Sequence, residues 1–507
     1  MKRKIYDKLL EWKHVSNGKT AVMLDGARRV GKSYIAEEFA RNEYEAYLLI
    51  DFAKVSSKVK RYFNEYLEDL DTFFMYLLSA YGVELPKGRS VIIFDEVQRF
   101  PRAREAIKYL VADGRYHYIE TGSLISIRKN VRNIVIPSEE WHLEMFPMDF
   151  EEFLWATGHP MTMPVVRRHF AERKPLGRDL HESLMDVFRQ YLVVGGMPQV
   201  VEAFAGSHDL RQVDAIKRSI LSLYRADIRK FAGALKDKAL AVFNSIPSQL
   251  SRHEKKFMPS EISENGRMRS YDTTIEWLES AMTVNVCRGA SEPNVGLEMN
   301  CERKSLKCYL GDTGLLVSMA FGESDLVAED IHNRILSDRI ELNKGMLVEN
   351  VVAQMLRAAG HKLYFYSNSS RSSSDDRMEI DFLVAKHGLT RRHNISPVEV
   401  KSGRSYAYES LSKFRKKYAA FLDTVCVLHV KDMSEKDGAL HLPLYMAPLI
   451  VEEAHGDRKR SVRRQNDRHP TFAAVASSGA YPPNSVVGPV WVDGETMVDS
   501  HIKELKA

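Results

Sequence analysis

The chain has 507 residues, too many for one ordinary hydrophobic core, and its length predicts three or four folded units. Its 73 Lys and Arg against 68 Asp and Glu give a net charge of +5, which permits nucleic-acid contact without indicating it. The four cysteines form no CxxC pair, which argues against a structural zinc and predicts reduced thiols. No apolar run reaches the roughly 18 residues that a transmembrane helix needs. Together these features predict a soluble cytoplasmic protein.

Residues 1–150 alternate apolar runs with helical patterns. The apolar runs are typical of buried strands, and they lie at residues 20–25, 46–52, 90–96 and 116–122. Strands that alternate with helices form parallel sheets covered on both faces. This part of the chain is therefore predicted to be an α/β unit with a parallel sheet.

Three further units and a tail are predicted along the chain. Residues 151–234 carry long amphipathic patterns with few strand signals, which predicts a helical layer. Residues 235–322 show helix, polar break, helix and two short β-like runs, an order that suits a winged helix. Residues 323–450 contain a helical stretch that ends at Gly360 and then four strands, which predicts a second α/β unit. Residues 451–507 combine a basic cluster with Ala, Ser, Gly and Pro, and we expect disorder there.

The segment GARRVGKS fits the Walker A pattern G-x-x-x-x-G-K-[ST], directly after a predicted strand and directly before a helical pattern. In such a loop the glycines let backbone N–H groups turn towards phosphate oxygens, and the next helix presents its positive end. Lys32 would reach the β and γ phosphates of ATP, and Ser33 would coordinate Mg²⁺. The residues predicted to bind the nucleotide are Gly26, Ala27, Arg28, Arg29, Val30, Gly31, Lys32, Ser33 and Tyr34.

Acidic side chains follow the apolar run VIIF. Asp95 would hold the Mg²⁺ ion as a Walker B residue, and Glu96 beside it would polarise the attacking water, which favours hydrolysis over binding alone. The alternative is an acidic strand end that only caps a loop. The next predicted strand ends in ETGS, where Thr121 or Ser123 would sense the γ-phosphate.

A series of segments resembles the prokaryotic AAA-type ATPases, relatives of the signal-transduction ATPases, that carry a C-terminal domain of unknown function. The segments are GARRVGKS, FDEVQ, ETGS, FPMDFEEF, YLVVGGMPQVV, YRADI and YLGDTGLL, in this order over about residues 5–450. The resemblance implies a P-loop ATPase core at 1–150, a helical lid at 151–234, a winged helix at 235–322 and a domain similar to restriction endonucleases at 323–450.

The resemblance also implies that a Gly-x-Pro element lies near the adenine. It corresponds to Gly196–Pro198, so Pro198 would contact the base, while the alternative for GGMP is a plain helix break. No arginine finger can be assigned from the sequence. The candidates left open are Arg28, Arg29, Arg225 and Arg229.

The segment PVEVKSG and the strand before it carry a second candidate site. Asp381 in EIDFLV and Glu399 with Lys401 in VEVKS can converge on one face, because strand side chains alternate. Restriction-type nucleases need two carboxylates that hold a divalent metal and a lysine that activates water. With Glu349 on the preceding helix, this order is similar to the PD-(D/E)XK nuclease pattern, although the Pro-Asp dipeptide is absent. The alternative is a solvated ion pair of Glu399 with Lys401.

The predicted winged helix offers basic and aromatic side chains for phosphate contacts. They are Arg267, Arg269, Tyr271, Lys255 and Lys256. The alternative is a winged helix that serves only as a scaffold, since no long basic and aromatic surface is visible in the sequence.

The leading hypothesis is an ATP-hydrolysing molecular switch with Mg²⁺ as cofactor, whose nucleotide state repositions a nuclease-like domain that acts on DNA or another nucleic acid. The alternative is a regulatory or sensor ATPase whose nuclease-like domain is catalytically inactive and only binds a protein partner or DNA. The sequence does not indicate the oligomeric state.

Overall fold

The computed structural model describes residues 1–122, 140–252, 254–294, 296–321, 325–339, 344–368, 376–385, 394–403, 408–453, 490–492 and 496–498. The largest group of buried apolar side chains runs from the first helix, through the helical middle of the chain, to Val451. These parts are therefore packed together, although the sequence divides them into several units. All four cysteines are free, and three of them are buried. Among the described residues, no helix has the length and apolar character that a bilayer crossing requires.

A five-stranded sheet forms the first part of the molecule. Its strands are β1 (Ala21–Gly26), β2 (Ala46–Asp51), β3 (Ser90–Asp95), β4 (His117–Gly122) and β5 (Glu140–Met145). They are all parallel and lie in the order β2-β3-β4-β1-β5. This arrangement confirms the predicted parallel sheet. It also brings the carboxyl ends of β1, β4 and β3 side by side, at the edge where open α/β sheets bind ligands.

Helices cover both faces of this sheet. One face carries α1 (Ile5–Ser16) and α2 (Lys32–Glu43), and the other carries α3 (Ser57–Glu65), α4 (Leu70–Tyr81) and α5 (Pro101–Asp113). Side chains alternate along a strand, so Val22 and Leu24 pack with the first group of helices, while Met23 packs with the second. The strands are therefore buried on both sides, which explains why they read as continuous apolar runs.

The next stretch of the chain is helical, as its amphipathic pattern predicts. Its helices are α6 (Phe150–Ala156), α7 (Thr162–Glu172), α8 (Arg178–Val194), α9 (Pro198–Ser207) and α10 (Leu210–Phe231). A capping box of Asp149 and Glu152 fixes the start of α6. Pro198 lies in the first turn of α9, where its missing N–H costs no hydrogen bond.

Two helices and a β-hairpin follow. They are α11 (Lys236–Ser251), α12 (Asp272–Ser280), β6 (Val284–Ala290) and β7 (Cys301–Leu310). Strand β6 also pairs in parallel with β8 (Tyr364–Asn368), which pairs antiparallel with β9 (Met378–Ile380), so the four strands form one sheet. The order of elements is the expected one, but the hairpin is not a free wing, and the structure does not show a winged helix. This sheet also joins strands from both sides of the predicted boundary at residue 322.

The remaining elements include a second mixed sheet. The helices are α13 (Thr313–Phe321), α14 (Asp325–Leu336), α15 (Lys344–Ala358) and α16 (Glu409–Tyr418). The strands are β10 (Phe382–Ala385), β11 (Ile395–Val400), β12 (Cys426–His429), β13 (Ser434–Lys436) and β14 (Ala439–Pro443), in the order β10-β11-β12-β14-β13. The α/β character agrees with the prediction, but a fold similar to restriction endonucleases is not shown. Within the tail that we expected to be disordered, β15 (Val490–Val492) pairs antiparallel with β16 (Thr496–Val498).

Candidate functional site

The phosphate loop is built from the end of β1 and the start of α2. Gly31 directly precedes α2 with a φ of 94°, in the left-handed region that favours glycine. A Cβ atom on Gly26 would lie 2.5 Å from the carbonyl oxygen of Met145, so only glycine fits there. Both glycines of the motif are therefore explained by backbone geometry. Arg29 also has a positive φ, 71°, which costs on the order of 1 kcal/mol for a residue with a side chain.

The side chain of Lys32 is folded back onto its own loop. Its Nζ donates to the carbonyl oxygens of Gly26 and Ala27, both at 2.9 Å, and the residue is 8% exposed. Burial lowers the pKa of Lys32 to about 8, against the attraction of nearby carboxylates, of which Glu96 acts most strongly. A triphosphate would supply the negative charge that stabilises this ammonium group.

Asp95 lies where the phosphate loop, β3 and β4 meet. Its Oδ1 accepts hydrogen bonds from the hydroxyl of Ser33, at 2.6 Å, and from the hydroxyl of Thr121. The Oγ1 of Thr121 in turn accepts the backbone N–H of Glu96 at 3.3 Å. A hydroxyl and a carboxylate are ligands that Mg²⁺ prefers, so Ser33 and Asp95 fit the predicted metal position. Ser123, the second candidate at the end of β4, lies outside the described residues.

Glu96 has an uncommon backbone conformation for a residue with a side chain. Its φ and ψ are 55° and 40°, in the left-handed region. Its Oε2 accepts a hydrogen bond from Nε2 of Gln98 at 2.7 Å and lies 3.8 Å from Nε of Arg99. Local strain of this kind clusters at functional sites, and Glu96 lies in the wall of a large cavity.

This cavity, of about 930 Å³, opens over the phosphate loop and has the size of a small-molecule site. The predicted residues that line it are Arg28, Arg29, Gly31, Lys32, Ser33, Tyr34, Asp95, Glu96 and Pro198. The side chains of Ala27 and Val30 are buried, so these two residues can offer only backbone groups. The lining residues that sequence reasoning missed include Arg3, Lys54, Arg99 and Lys230.

Two clamps hold the phosphate loop in place. On one side, the hydroxyl of Tyr224 on α10 donates to the carbonyl oxygen of Arg28 at 3.0 Å, and Asp227 pairs with the Arg28 guanidinium at 2.7 Å. On the other side, Arg3 donates to the carbonyl oxygen of Val30 at 2.9 Å. The segment YRADI thus joins the helical layer to the loop. Arg3 left no signal in the sequence beyond the basic start of the chain.

The four arginines that the sequence left open divide into two pairs. The two in the phosphate loop line the cavity. Arg225 donates instead to Oδ1 of Asn244 at 2.9 Å. Among the described residues that line the cavity, α10 contributes Lys230 but not Arg229, which is exposed.

The glycine pair of GGMP packs against the segment GDTG. The N–H of Gly196 donates to Oδ2 of Asp312 at 2.6 Å, and a Cβ atom on Gly195 would lie 2.3 Å from Oδ1 of the same residue. Gln354 of α15 donates to Oδ2 of Asp312 at 3.3 Å and to the hydroxyl of Tyr191 at 3.0 Å. These groups are all buried. A polar network therefore connects GGMP, which leads into the cavity wall, to α15.

The second candidate site brings Asp381, Glu399 and Lys401 together. Oδ2 of Asp381 accepts the backbone N–H of Val400 at 2.8 Å, and Nζ of Lys401 donates to Oε1 of Glu399 at 2.8 Å. Oε2 of Glu399 has no hydrogen-bond partner among the described residues, although Glu399 is only 7% exposed. Burial, followed by the negative charge of Asp381, raises the pKa of Glu399 to about 8. A solvated ion pair would show neither feature.

Glu349 lies beside this group, but basic side chains occupy it. Its Oε1 accepts hydrogen bonds from Lys307, at 3.1 Å, and from the hydroxyl of Tyr309, while its Oε2 pairs with Lys255. Burial opposes the charged form, but the two ammonium groups prevail and lower the pKa of Glu349 to about 2. Within the described ranges, no three His, Cys, Asp or Glu side chains are grouped so that they could hold a metal. Sequence reasoning missed Lys307 and Glu379, which take part in this cluster.

The predicted phosphate contacts of the middle region are exposed only in part. Arg267 and Arg269 are exposed, just before α12. Tyr271 is 4% exposed, so most of its side chain is out of reach of a phosphate group. Lys255 and Lys256 are each paired with a carboxylate. Arg267 and Arg269 are therefore the predicted residues of this region that could contact a phosphate backbone without breaking an ion pair described here.

Family models match three separate parts of the chain. Residues 18–154 match a model described as AAA domain, residues 185–326 a domain of unknown function (DUF8612) and residues 344–445 another domain of unknown function (DUF4143). A comparison with curated proteins finds no match. The chain thus contains an AAA-type ATPase domain, and the matched residues include the parallel sheet and the phosphate loop. The second match crosses the predicted boundary at residue 234.

Several solved structures are similar over large parts of their length. The Holliday junction branch migration motor RuvB of Thermotoga maritima is 13% identical over 56% of this chain and 89% of its own, with a TM-score of 0.27. A variant of that protein is 12% identical over 55% and 87%, also with a TM-score of 0.27. The Hef helicase domain of Pyrococcus furiosus is 11% identical over 85% and 89%, with a TM-score of 0.17. Scores this low carry no conclusion for the present chain.

Proposed function

We propose that the chain hydrolyses ATP and acts as a molecular switch. The observation that carries this proposal is the hydrogen-bonded meeting of Ser33, Asp95 and Thr121 at the mouth of the phosphate loop. In this function Lys32 exchanges its loop carbonyls for the β and γ phosphates, and Ser33 and Asp95 hold Mg²⁺, which neutralises charge that develops on the phosphates. Glu96 polarises the attacking water, and Thr121 senses the γ-phosphate.

The remaining wall of the cavity is proposed to select the nucleotide and report its state. Pro198 and Tyr34 line the cavity and are proposed to contact the base. Arg28 is held by α10 through Tyr224 and Asp227, so a phosphate group that attracts Arg28 would compete with this contact. ATP binding is therefore proposed to change how the helical layer sits on the loop.

Isothermal titration calorimetry with Mg-ATP tests the pocket. Lys32→Ala is expected to abolish binding, whereas Glu96→Gln is expected to bind ATP and to turn it over slowly. Lys87→Ala is a matched control, because Lys87 is exposed and precedes β3 at the end of the strand opposite Asp95. Wild-type binding by Lys32→Ala would show that the phosphates lie elsewhere.

The finer proposal is that the switch controls a nuclease-like site in the C-terminal part, with DNA or another nucleic acid as substrate. Asp381 and Glu399 would hold a divalent metal, with Glu349 as the third acidic group of the predicted set, and Lys401 would activate water. Oε2 of Glu399 is buried and has no hydrogen-bond partner within the described part of the chain, which supports this proposal because an isolated carboxylate oxygen is costly to bury unless a cation or proton joins it.

A second candidate function is a regulatory or sensor ATPase whose C-terminal part only binds DNA or a protein partner. The occupation of Glu349 by two lysines favours it, since those oxygens are then not free for a metal. Magnesium-dependent cleavage of plasmid and single-stranded DNA separates the two functions. Cleavage that is lost in Glu399→Ala and in Lys401→Ala, with ATP hydrolysis intact, supports the nuclease. Wild-type protein that binds DNA but leaves it uncut supports the sensor.

A further inference from the structure

A buried lysine lies at the centre of the acidic cluster. Lys307 of β7 is completely buried. Its Nζ lies 3.1 Å from Oε1 of Glu349, 2.8 Å from Oε1 of Glu379 and 3.6 Å from Oδ1 of Asp381. An ammonium group without water is stable only where nearby negative charge compensates it, and these three carboxylates provide that charge. Lys307 is therefore held in the cluster as a cation.

The oxygens of Glu349 are all in use. Lys307 and the hydroxyl of Tyr309 share its Oε1, and Lys255 takes its Oε2. Two ammonium groups and a phenol fill three of the roughly four lone-pair positions of this carboxylate, and the two positive charges beside it repel a metal ion. Tyr309 and Lys307 are two residues apart on β7, so both reach Glu349 from the same face of that strand.

Two other carboxylate oxygens of the cluster have no lysine within hydrogen-bonding distance among the described residues. Oε2 of Glu399 has no partner among the described residues, while its Oε1 is held by Lys401. Oδ2 of Asp381 accepts the N–H of Val400, and its Oδ1 is 3.6 Å from the nearest ammonium group, beyond a hydrogen bond. These two oxygens, one between β9 and β10 and the other on β11, could therefore accept a cation without displacing a lysine.

The charges of the cluster limit how many divalent ions it can accept. Four carboxylates, those of Glu349, Glu379, Asp381 and Glu399, face the three ammonium groups of Lys255, Lys307 and Lys401. When all are ionised, the cluster carries one net negative charge. One divalent ion turns this into one positive charge, which a single phosphodiester neutralises. A second ion would leave three positive charges in a buried site, which strong repulsion from the lysines disfavours.

We propose that Lys307 is the permanent cation of this cluster, in the position that a second metal would otherwise take. The cluster then binds a single divalent ion of the Mg²⁺ or Mn²⁺ type, between Oδ1 of Asp381 and Oε2 of Glu399. Glu349 and Glu379 hold the lysine and do not ligate the metal. This inference rests on the metal site proposed above, and it limits any phosphodiester chemistry there to a one-metal form.

The number of bound ions tests the proposal directly. Electron paramagnetic resonance of free Mn²⁺ is recorded while nucleotide-free, full-length protein is titrated, and every protein carries Asp95→Asn so that the nucleotide pocket contributes no ion. The parent protein is expected to bind one Mn²⁺ per chain, and Glu399→Gln is expected to bind none. Lys307→Met frees oxygens of Glu349 and Asp381 and is expected to bind two.

A second variant guards against loss of folding. Lys307→Met leaves buried carboxylates uncompensated, whereas Lys307→Gln also removes the positive charge but keeps an amide that can donate hydrogen bonds to Glu349 and Glu379. It is also expected to bind two ions, with circular dichroism as the check on folding. Two ions on the parent protein, or one ion on the folded Lys307 variants, overturn the inference alone. No ion on the parent protein overturns the metal site itself.

Discussion

The backbone of Glu96 allows strain and chemistry to be separated in a single experiment. A residue with a side chain at a φ of 55° carries a steric cost of roughly 1 kcal/mol that glycine does not have. The interactions of the Glu96 carboxylate offset little of this cost. It accepts a hydrogen bond from Gln98 and lies 3.8 Å from Nε of Arg99, and the side chains of this ion pair are partly exposed. Glu96→Gly should therefore be more stable than Glu96→Gln by about 1 kcal/mol, because glutamine retains the Cβ atom and the strain.

For an ATPase domain of this size, about 1 kcal/mol corresponds to a rise of roughly 2–4 °C in melting temperature. Thermal unfolding of the two variants, followed by intrinsic fluorescence without nucleotide, measures this difference. Both variants are expected to bind Mg-ATP and to hydrolyse it far more slowly than the wild type, as measured by phosphate release. A Glu96→Gly variant that melts below Glu96→Gln would disprove the strain. Turnover at the wild-type rate by either variant would remove Glu96 from its role in polarising water.

Further predictions concern the pocket, the sheet and the buried network. Thr121→Val deletes the hydroxyl that donates to Asp95. If this hydrogen bond contributes about 1.4 kcal/mol to the stability of the transition state, its loss should lower kcat about tenfold in a steady-state ATPase assay. The affinity for ATP, measured by calorimetry, should not change. Hydrogen bonds to two carboxylates raise the pKa of His142 to about 10. The protonated form should therefore stabilise the fold, by on the order of 1 kcal/mol because the side chain is half exposed. This contribution is complete below pH 6.5 and is lost as the pH rises through 10. The melting temperatures of wild type and His142→Gln should differ at pH 6 and converge towards pH 10, and a difference that grows with pH would contradict this assignment. Gln354→Leu removes the buried amide oxygen that accepts the N–H and the hydroxyl of Thr313, so these donors lose that acceptor. The substitution should lower the free energy of unfolding by roughly 1–3 kcal/mol in urea, whereas an unchanged value would show that water replaces the amide.

The positions of the predicted nucleotide-binding residues could be inferred from the sequence because each part of this site is local. Gly31, Lys32 and Ser33 lie within one motif, and their geometry follows from the strand before them and the helix after them. Asp95 and Thr121 end apolar runs, and the carboxyl ends of parallel strands share one edge of a sheet. The sequence does not reveal that β4 lies between β1 and β3, which is what lets Thr121 touch Asp95.

The acidic cluster could be predicted only in part, because its partners are distant in sequence. Lys307 is 42 residues from Glu349, and the segment SLKCYL looks like a strand with one solvent-facing lysine. The sequence does contain one indication that Lys307 is buried. Side chains alternate along a strand, so Lys307 lies on the same face as Tyr309, and a tyrosine beside a lysine on an apolar strand is consistent with a buried face. Nothing local, however, indicates which carboxylate the lysine meets.

The hairpin of β6 and β7 shows the same limit at the level of a domain. Its residues predict two antiparallel strands, and these form as expected. A two-stranded hairpin leaves an edge with unpaired backbone groups, and here β8 satisfies that edge of β6 by pairing in parallel. Strand β8, which supplies these hydrogen bonds, begins at Tyr364, 74 residues after β6 ends at Ala290. The local sequence pattern therefore predicted a separate wing, whereas in the structure the hairpin is part of a larger sheet.

Helix α15 gives the two candidate sites a physical connection. It carries Glu349 in the lysine-filled cluster and Gln354 in the network of Asp312, about 7.5 Å apart along the axis at a rise of roughly 1.5 Å per residue. Asp312 holds the N–H of Gly196, in the segment that leads into the cavity wall. A nucleotide that displaces this segment must either break a buried hydrogen bond to a carboxylate, at a cost of about 1.5–3 kcal/mol, or move α15 with it. Free energies of coupling between protein sites are of the same size, about 1–3 kcal/mol, so the energy of this contact matches what the proposed switch requires.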